Sequence, residues 1–459
     1  MIVIGLDGGH FELIEPWINT LPNIKFIKDN GCWADMMSCL PPVTAPNWKC
    51  YSTGLNPGKL GIFYWELIDF KTHRVKLPNF FNTDFIEIWD YLNNASISTG
   101  IQGVPLTSPG LRRRLGYFVG GAPTVGTSNW FTPSNLSNSI VANKYTPNFI
   151  NSIRINPEKA KPEILKKVEA EFELAKALIT KYNPKFSHVT TYYLNELQHY
   201  TWDSPWTHKA WEYADKFLGW CLEQDQDIIV MSDHGSNKIE KVFNINTWLE
   251  KRGYLKLNNS TFTVLGKLGI TKEKGAKILK YPALEAMVKA FMPPWVWDRI
   301  PLEEGNISGK SKEESINWEK SWAVASDQGP IYIKNNDSKL RGEIIEALLK
   351  EEEIVSNVHT REEIYRGEYL RLAPDLIIDQ KPNIHICSGL AIKDIYSKAG
   401  TAWLAENKKT AMFMAYGKKV KTKGKINNIN ILDLAPTILN YHSLKVPEVL
   451  DGIVLREVF

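Results

Sequence analysis

Ile2-Val3-Ile4-Gly5-Leu6-Asp7-Gly8-Gly9-His10 stands at the start of the chain. Its apolar run shows no alternation and stops at a carboxylate and two glycines. A short run of this kind reads as a strand buried on both faces, the habit of parallel sheets covered by helices. A second such run, Ile228-Ile229-Val230-Met231-Ser232, stops at Asp233-His234-Gly235. Reacting groups in open sheets of this type gather at the carboxyl ends of the strands. Asp7, Asp233 and His234 all hold that position.

Strand and helix patterns alternate outward from these runs. Residues 11–29 read as largely helical with an interruption near Pro22. A helix is expected at 86–93 and a strand at 96–104. Residues 159–182 carry an apolar stripe of Ile164, Val168, Phe172 and Leu178 at helical spacing. A strand at 186–193 follows, then a helix at 208–221 and the strand at 227–231. Strands at 322–325 and 331–334, a helix at 340–351, a strand at 376–379 and a final helix at 432–441 complete the pattern. This alternation predicts an α/β fold with a mostly parallel sheet sandwiched by helices. Residues 258–315 break the pattern with helical segments, an apolar-aromatic run at 287–297 and a polar tract. They read as a helical insertion or cap, so that 1–257 and 316–459 form the core.

Composition bounds the function. The chain has 459 residues and a formal net charge of +4, too small a surplus to suggest nucleic-acid binding. Its five cysteines, Cys32, Cys39, Cys50, Cys221 and Cys387, include no Cys-x-x-Cys pair, which suits free thiols in a reducing compartment. The opening apolar run is cut at Asp7, too early for a secretory signal. No apolar run reaches the roughly 18–20 residues that span a bilayer. A cytoplasmic location without membrane contact is expected. Oligomeric state is left open, with a homo-oligomer allowed.

The chemistry centres on Pro41-Pro42-Val43-Thr44-Ala45-Pro46-Asn47-Trp48. A threonine hydroxyl is a poor nucleophile at neutral pH unless a base or a metal stabilises the alkoxide. A divalent cation held by Asp7, Asp233 and His234 would do so, and mixed carboxylate and imidazole ligation suits zinc or manganese. Phosphoryl transfer suits such a site, because it depends heavily on neutralising charge. Each signal alone is weak. A strand ending in Asp is common, and a Thr before Ala-Pro often begins a turn. Their joint order carries the reading.

That order resembles the alkaline phosphatase superfamily. More specifically, it is similar to the phosphohydrolase/phosphomutase branch related to type I phosphodiesterases and nucleotide pyrophosphatases. The matching segments are Gly5-Leu6-Asp7-Gly8-Gly9, Pro41 to Trp48 and Thr53-Gly54-Leu55-Asn56-Pro57-Gly58-Lys59. Ser232-Asp233-His234-Gly235, Phe243 to Leu249, Leu432 to Leu439, Val446-Pro447 and Asp451-Gly452 follow in order. The resemblance implies an alkaline-phosphatase-like fold and a phosphoric ester hydrolase that attacks through Thr44, forming a phosphothreonine intermediate. It also implies two metals. Asp7, Thr44, Asp233 and His234 match the set around the first. For the second the family uses an Asp, a His four residues later and a distant His. Here those positions fall on Asn195, His199 and Asn407. An amide oxygen suits a hard cation but is a poor zinc ligand. One firm metal site and a second that is weak or absent are therefore expected. His385 is the remaining histidine placed to substitute. Asn47 is a candidate for positioning substrate, from its nearness to Thr44.

Other departures narrow the reading. Leu60-Gly61-Ile62-Phe63-Tyr64-Trp65 lacks the His and Asn that the nucleotide-cleaving diesterases place there, so their substrate class does not carry over. A sulfatase is set aside, because Thr44-Ala45-Pro46-Asn47-Trp48 offers no modifiable Cys or Ser and no Arg. Arg112-Arg113-Arg114 reads as a solvated run before it reads as an anion site. The glycine-rich stretch 120–126 has no phosphate-loop pattern. Trp295 and Trp297 read as part of a packed cap. The substrate expected is a small-molecule or lipid-linked phosphoester. Two rivals remain: a phosphotransferase or phosphomutase with a weakened second metal, and a non-catalytic binder of a phosphorylated ligand.

Overall fold

Every residue of the Ile2–Leu6 strand is buried, as its unbroken apolar run requires. The computed structural model describes residues 1–78, 85–107, 115–121, 130–138, 157–259, 263–264, 268, 309–400 and 403–459. The chain divides into two compact units. One comprises Met1–Ile62, Asn79–Asn237 and Asn407–Phe459, the other Phe63–Pro78 and Lys238–Glu406. This division differs from the boundaries drawn from sequence, since residues 316–406 fall in the second unit. Most of 258–315 lies outside the described residues, as do Arg112–Arg114, most of 120–129, and Trp295 and Trp297.

The first unit is built on a ten-stranded sheet. Its strands are β1 (Ile2–Leu6), β2 (Cys32–Met37), β3 (Thr99–Gln102), β4 (Gly116–Val119), β5 (Phe131–Thr132), β6 (Phe186–Thr191), β7 (Ile228–Met231), β8 (Thr410–Tyr416), β9 (Gly424–Lys425) and β10 (Ile429–Asn430). They lie in the order β9-β2-β8-β7-β1-β6-β3-β4-β5, and β10 also pairs with β2. From β7 to β4 the strands run parallel. β8 runs antiparallel between β7 and β2. The result is a mixed α/β unit with a mostly parallel central sheet flanked by helices.

The helices follow their apolar stripes. In Pro157–Tyr182 the predicted stripe of Ile164, Val168, Phe172 and Leu178 is buried. The break expected near Pro22 falls at Leu21, between a 3-10 turn and the helix Pro22–Asn30. Among the strands that went unread are β2 and β8. β2 alternates buried and half-buried residues, Cys32, Ala34 and Met36 against Trp33, Asp35 and Met37, and its charged Asp35 hides the run. β8 follows Asn407-Lys408-Lys409, which looks like loop in sequence.

Topology places the carboxyl ends of β1 and β7 together. β1 and β7 are neighbours in register, with Gly5 opposite Met231. Their chains therefore leave the sheet side by side at Asp7 and Asp233.

The helix Thr44–Thr53 lies wholly in the interior, with all ten residues buried. Pro46 is tolerated because the first-turn N–H groups have no partner within the helix. Even Lys49 is inside, its ammonium 3.0 Å from Glu87 Oε1. Glu87 also accepts from Ser52 Oγ at 3.2 Å and from Trp89 Nε1 at 2.9 Å. At the far end, Asp451 accepts from Asn56 N at 2.8 Å and Lys59 Nζ at 2.8 Å, and its own N–H donates to Gly54 O. The helix is thus tied along its second half and just past its C-terminal end. Replacing Glu87 with Ala strands a buried ammonium and is expected to cost about 3–5 kcal/mol of stability. Urea unfolding followed by circular dichroism reads this, and a loss below about 1 kcal/mol would show the pair is not structural.

The second unit holds a four-stranded antiparallel sheet in the order Ala323–Ala325, Pro330–Ile333, Leu376–Gln380, Val355–Thr360. Its core includes Phe243, Trp248, Ile331, Ile344, Leu348 and Ile378. Asp337 caps the helix Ser338–Leu349 by accepting from Lys339 N and Leu340 N.

Candidate nucleophile and metal site

Asp7, Asp233 and His234 converge at the carboxyl ends of β1 and β7. One ligand atom from each lies within 4.8 Å of the others, and all three residues are buried. His234 Nε2 is 3.3 Å from Asp233 Oδ2 and 3.6 Å from Asp7 Oδ1. Thr44 Oγ1 is 3.1 Å from the same Nε2. Thr44 is the first residue of its helix rather than a loop residue, which points its hydroxyl out of a fixed frame.

The surroundings orient each group. His234 Nδ1 lies 2.9 Å from Gly235 O. A carbonyl only accepts, so the proton sits on Nδ1 and Nε2 presents its lone pair. Ser38 Oγ donates to Asp233 O at 2.6 Å, and Ser232 Oγ donates to Gly9 O at 2.7 Å. Asp7 Oδ2 accepts from Trp48 Nε1 at 2.7 Å. Gly8 turns the chain away with φ +69°, and a Cβ there would fall 2.5 Å from Asn195 Oδ1, so glycine is required.

Two oxygens are left over. Asp7 Oδ1 and Asp233 Oδ2 are buried and accept no hydrogen bond. A buried carboxylate oxygen without a partner carries a heavy desolvation cost. Burial pushes both carboxyls well above their ordinary range. The charge of Asp7 pushes Asp233 further, while hydrogen bonds from Trp48 and Asn195 pull Asp7 back. A cation among these two oxygens and His234 Nε2 would relieve both the orphaned acceptors and the repulsion. The donor set therefore fits a divalent metal.

The other positions read from sequence divide. Asn195, on the helix Tyr193–Thr201, lies at the Asp7 carboxylate and 3.4 Å from Ser236 Oγ. His199 is buried one turn later on that helix, and Asn407 is buried on the strand Ala405–Lys408. Among the described residues, Asp7, Asp233 and His234 are the one group of three His, Cys, Asp or Glu close enough to share an ion. His385 belongs to the second unit, where its Nδ1 is paired with Glu406 Oε2. Burial opposes charge on this imidazole, but Glu406 and Cys387 outweigh it and hold its pKa well above the usual histidine range.

Asn47 has a different occupation from the one expected. Its Oδ1 accepts from Cys39 N at 2.8 Å, and its Nδ2 lies 3.0–3.2 Å from the carbonyls of Cys39, Pro41 and Val43. The amide is spent on holding the loop that leads into Thr44. The contact that sequence reading missed is Trp48 to Asp7. Its signal was the i, i+4 spacing from Thr44, invisible until the segment is known to be helical.

Residues 1–409 match the family model described as type I phosphodiesterase / nucleotide pyrophosphatase. The chain belongs to this family. It is accordingly a phosphoric ester hydrolase of the alkaline phosphatase superfamily, within a family that is generally dependent on divalent metal and acts on small phosphoesters. Among solved structures, human ectonucleotide pyrophosphatase / phosphodiesterase 5 is similar at 14% identity and a TM-score of 0.53. That match covers 98% of this chain and 96% of the human chain, and it shows a shared fold. No curated protein matches the sequence. No helix among the described residues is long and apolar enough to cross a membrane.

Proposed function

We propose that this family member is a metal-dependent phosphodiesterase whose nucleophile is Thr44 and whose firm metal site is formed by Asp7, Asp233 and His234. The observation that carries the reading is the convergence of two orphaned buried carboxylate oxygens and an imidazole lone pair beside the Thr44 hydroxyl. A divalent cation bound there supplies positive charge that favours the alkoxide and offsets the charge of the phosphoryl group. Thr44 Oγ1 attacks phosphorus, the bond from phosphorus to one alcohol breaks, that alcohol leaves with the proton the hydroxyl gave up, and the rest of the substrate stays on Thr44 as a phosphodiester. Zinc and manganese suit the mixed donor set best.

Release is the slow half of this scheme. Asn195 and Asn407 stand where an Asp and a His would support a second cation, so water attack on the threonyl phosphodiester, which releases the monoester, has less assistance. The same observation favours a second reading, transfer of the phosphoryl group to an acceptor other than water. A cytoplasmic location and a small-molecule or lipid-linked substrate belong to this proposal.

The direct test strips the protein with a chelator and restores it with Zn²⁺ or Mn²⁺, while metal per chain and hydrolysis of bis(p-nitrophenyl) phosphate are measured. About one tightly held cation per chain is expected, with activity following it, and Asp233→Asn should lose both. Turnover that is indifferent to chelation would sink the metal assignment.

A further inference from the structure

Trp48 Nε1 donates to Asp7 Oδ2 at 2.7 Å, and both side chains are fully buried. The bond occupies one carboxylate oxygen and leaves the other, Oδ1, as the one without a hydrogen bond and nearer the cluster. We infer that Trp48 is a positioning residue for metal binding: it turns the Asp7 carboxylate so that Oδ1 faces the cation. The inference rests on the proposal that Asp7 holds one.

The carboxylate torsion of Asp is broad and roughly two-fold, so the rotamer preference of Asp7 itself does not select one oxygen over the other. Trp48 selects, because its own ring is fixed. Its edges pack on Tyr51 and His188, with centroids 5.8 and 5.9 Å away. Those two clamps are joined to each other, Tyr51 Oη lying 2.7 Å from His188 Nδ1, and His188 Nε2 lies 2.8 Å from Thr190 Oγ1. Gly5 on β1 makes the room, since a Cβ there would fall 2.5 Å from Trp48 Cη2. Thr44, Trp48 and Tyr51 follow one another at i, i+4 and i+7, which puts them on one face of a single helix. The nucleophile, the residue that aims the ligand and the clamp on that residue thus move as one body. Outer hydrogen bonds of this kind hold a metal ligand in its binding orientation.

The test compares wild type, Trp48→Phe and Asp7→Asn, each stripped of cation and titrated with Mn²⁺ by calorimetry. Diester turnover is measured across Mn²⁺ concentrations. Trp48→Phe should weaken Mn²⁺ binding by about 10–100-fold. At saturating Mn²⁺ its kcat should return close to wild type with KM for the diester unchanged, a rescue that a purely structural lesion would not give. Wild-type Mn²⁺ affinity in Trp48→Phe, with binding lost in Asp7→Asn, overturns the inference and leaves the metal site standing. A wild type that binds no Mn²⁺ and no Zn²⁺ overturns both. Where circular dichroism shows Trp48→Phe unfolded, benzothienylalanine at position 48 keeps the ring shape and replaces N–H by sulfur. Unchanged affinity in that variant overturns the inference equally.

Discussion

Thr44→Ala is expected to lower turnover of a phosphodiester by at least about 10³-fold, which corresponds to about 4 kcal/mol of transition-state stabilisation. The cause is specific. Thr44 Oγ1 is the hydroxyl 3.1 Å from the imidazole nitrogen that completes the Asp7–Asp233–His234 cluster. Alanine removes that oxygen while keeping the helical backbone, and Thr44 is the first helical residue, where alanine is well tolerated. Cation content should therefore stay near that of the wild type. Steady-state kinetics with bis(p-nitrophenyl) phosphate and metal analysis on the same preparation separate the two effects. Turnover in the variant within a few fold of the wild type would show that another group attacks phosphorus.

The second large effect is a gain. Asn195→Asp together with Asn407→His restores the donor types that the family places at a second metal, and it is expected to raise multiple-turnover hydrolysis by on the order of tenfold or more. The first turnover should change little, because the cluster beside Thr44 is untouched. Accumulation of Thr44 carrying a p-nitrophenyl phosphate group, read by mass spectrometry after rapid quench, should be high in the wild type and fall in the double variant. Asn195 makes the experiment informative in a second way. Its amide hydrogen-bonds the Asp7 carboxylate, and its Oδ1 lies 3.4 Å from Ser236 Oγ. A carboxylate there faces Asp7 as a like charge, which only a cation between them offsets. The double variant should therefore be less stable than the wild type without metal and recover on adding it. A double variant with no gain in turnover, and no metal-dependent recovery of Tm, would show that the second site is not dismantled by these two residues.

The legibility of this chain follows from where its chemistry sits. The convergence of Asp7 and Asp233-His234 was readable because continuous apolar strands announce buried parallel geometry, and neighbouring parallel strands bring their carboxyl ends together. Thr44 was readable as a nucleophile candidate but not as a helix start, because Pro41, Pro42 and Pro46 make the segment look like loop. That concealment also hid Trp48, whose bond to Asp7 spans 41 positions of sequence and leaves no periodic trace. Asn47 drew attention through nearness to Thr44, yet its amide is consumed by backbone groups of residues 39–43. β2 was hidden by Asp35, and β8 by the charges before it. The place of 316–406 in a second unit depends on long-range packing that no local pattern encodes.

β8 lies between β7 and β2, although it is formed by Thr410–Tyr416. The cradle for Thr44 is thus specified early in synthesis, but the sheet beside it is completed by residues made more than three hundred positions later, and the helix is then fastened at Asp451. A growing chain contains Asp7, Asp233 and His234 well before it contains β8, the strand that pairs with β7. The sheet that carries the cluster is therefore completed only late in synthesis, when nearly the whole chain has been made.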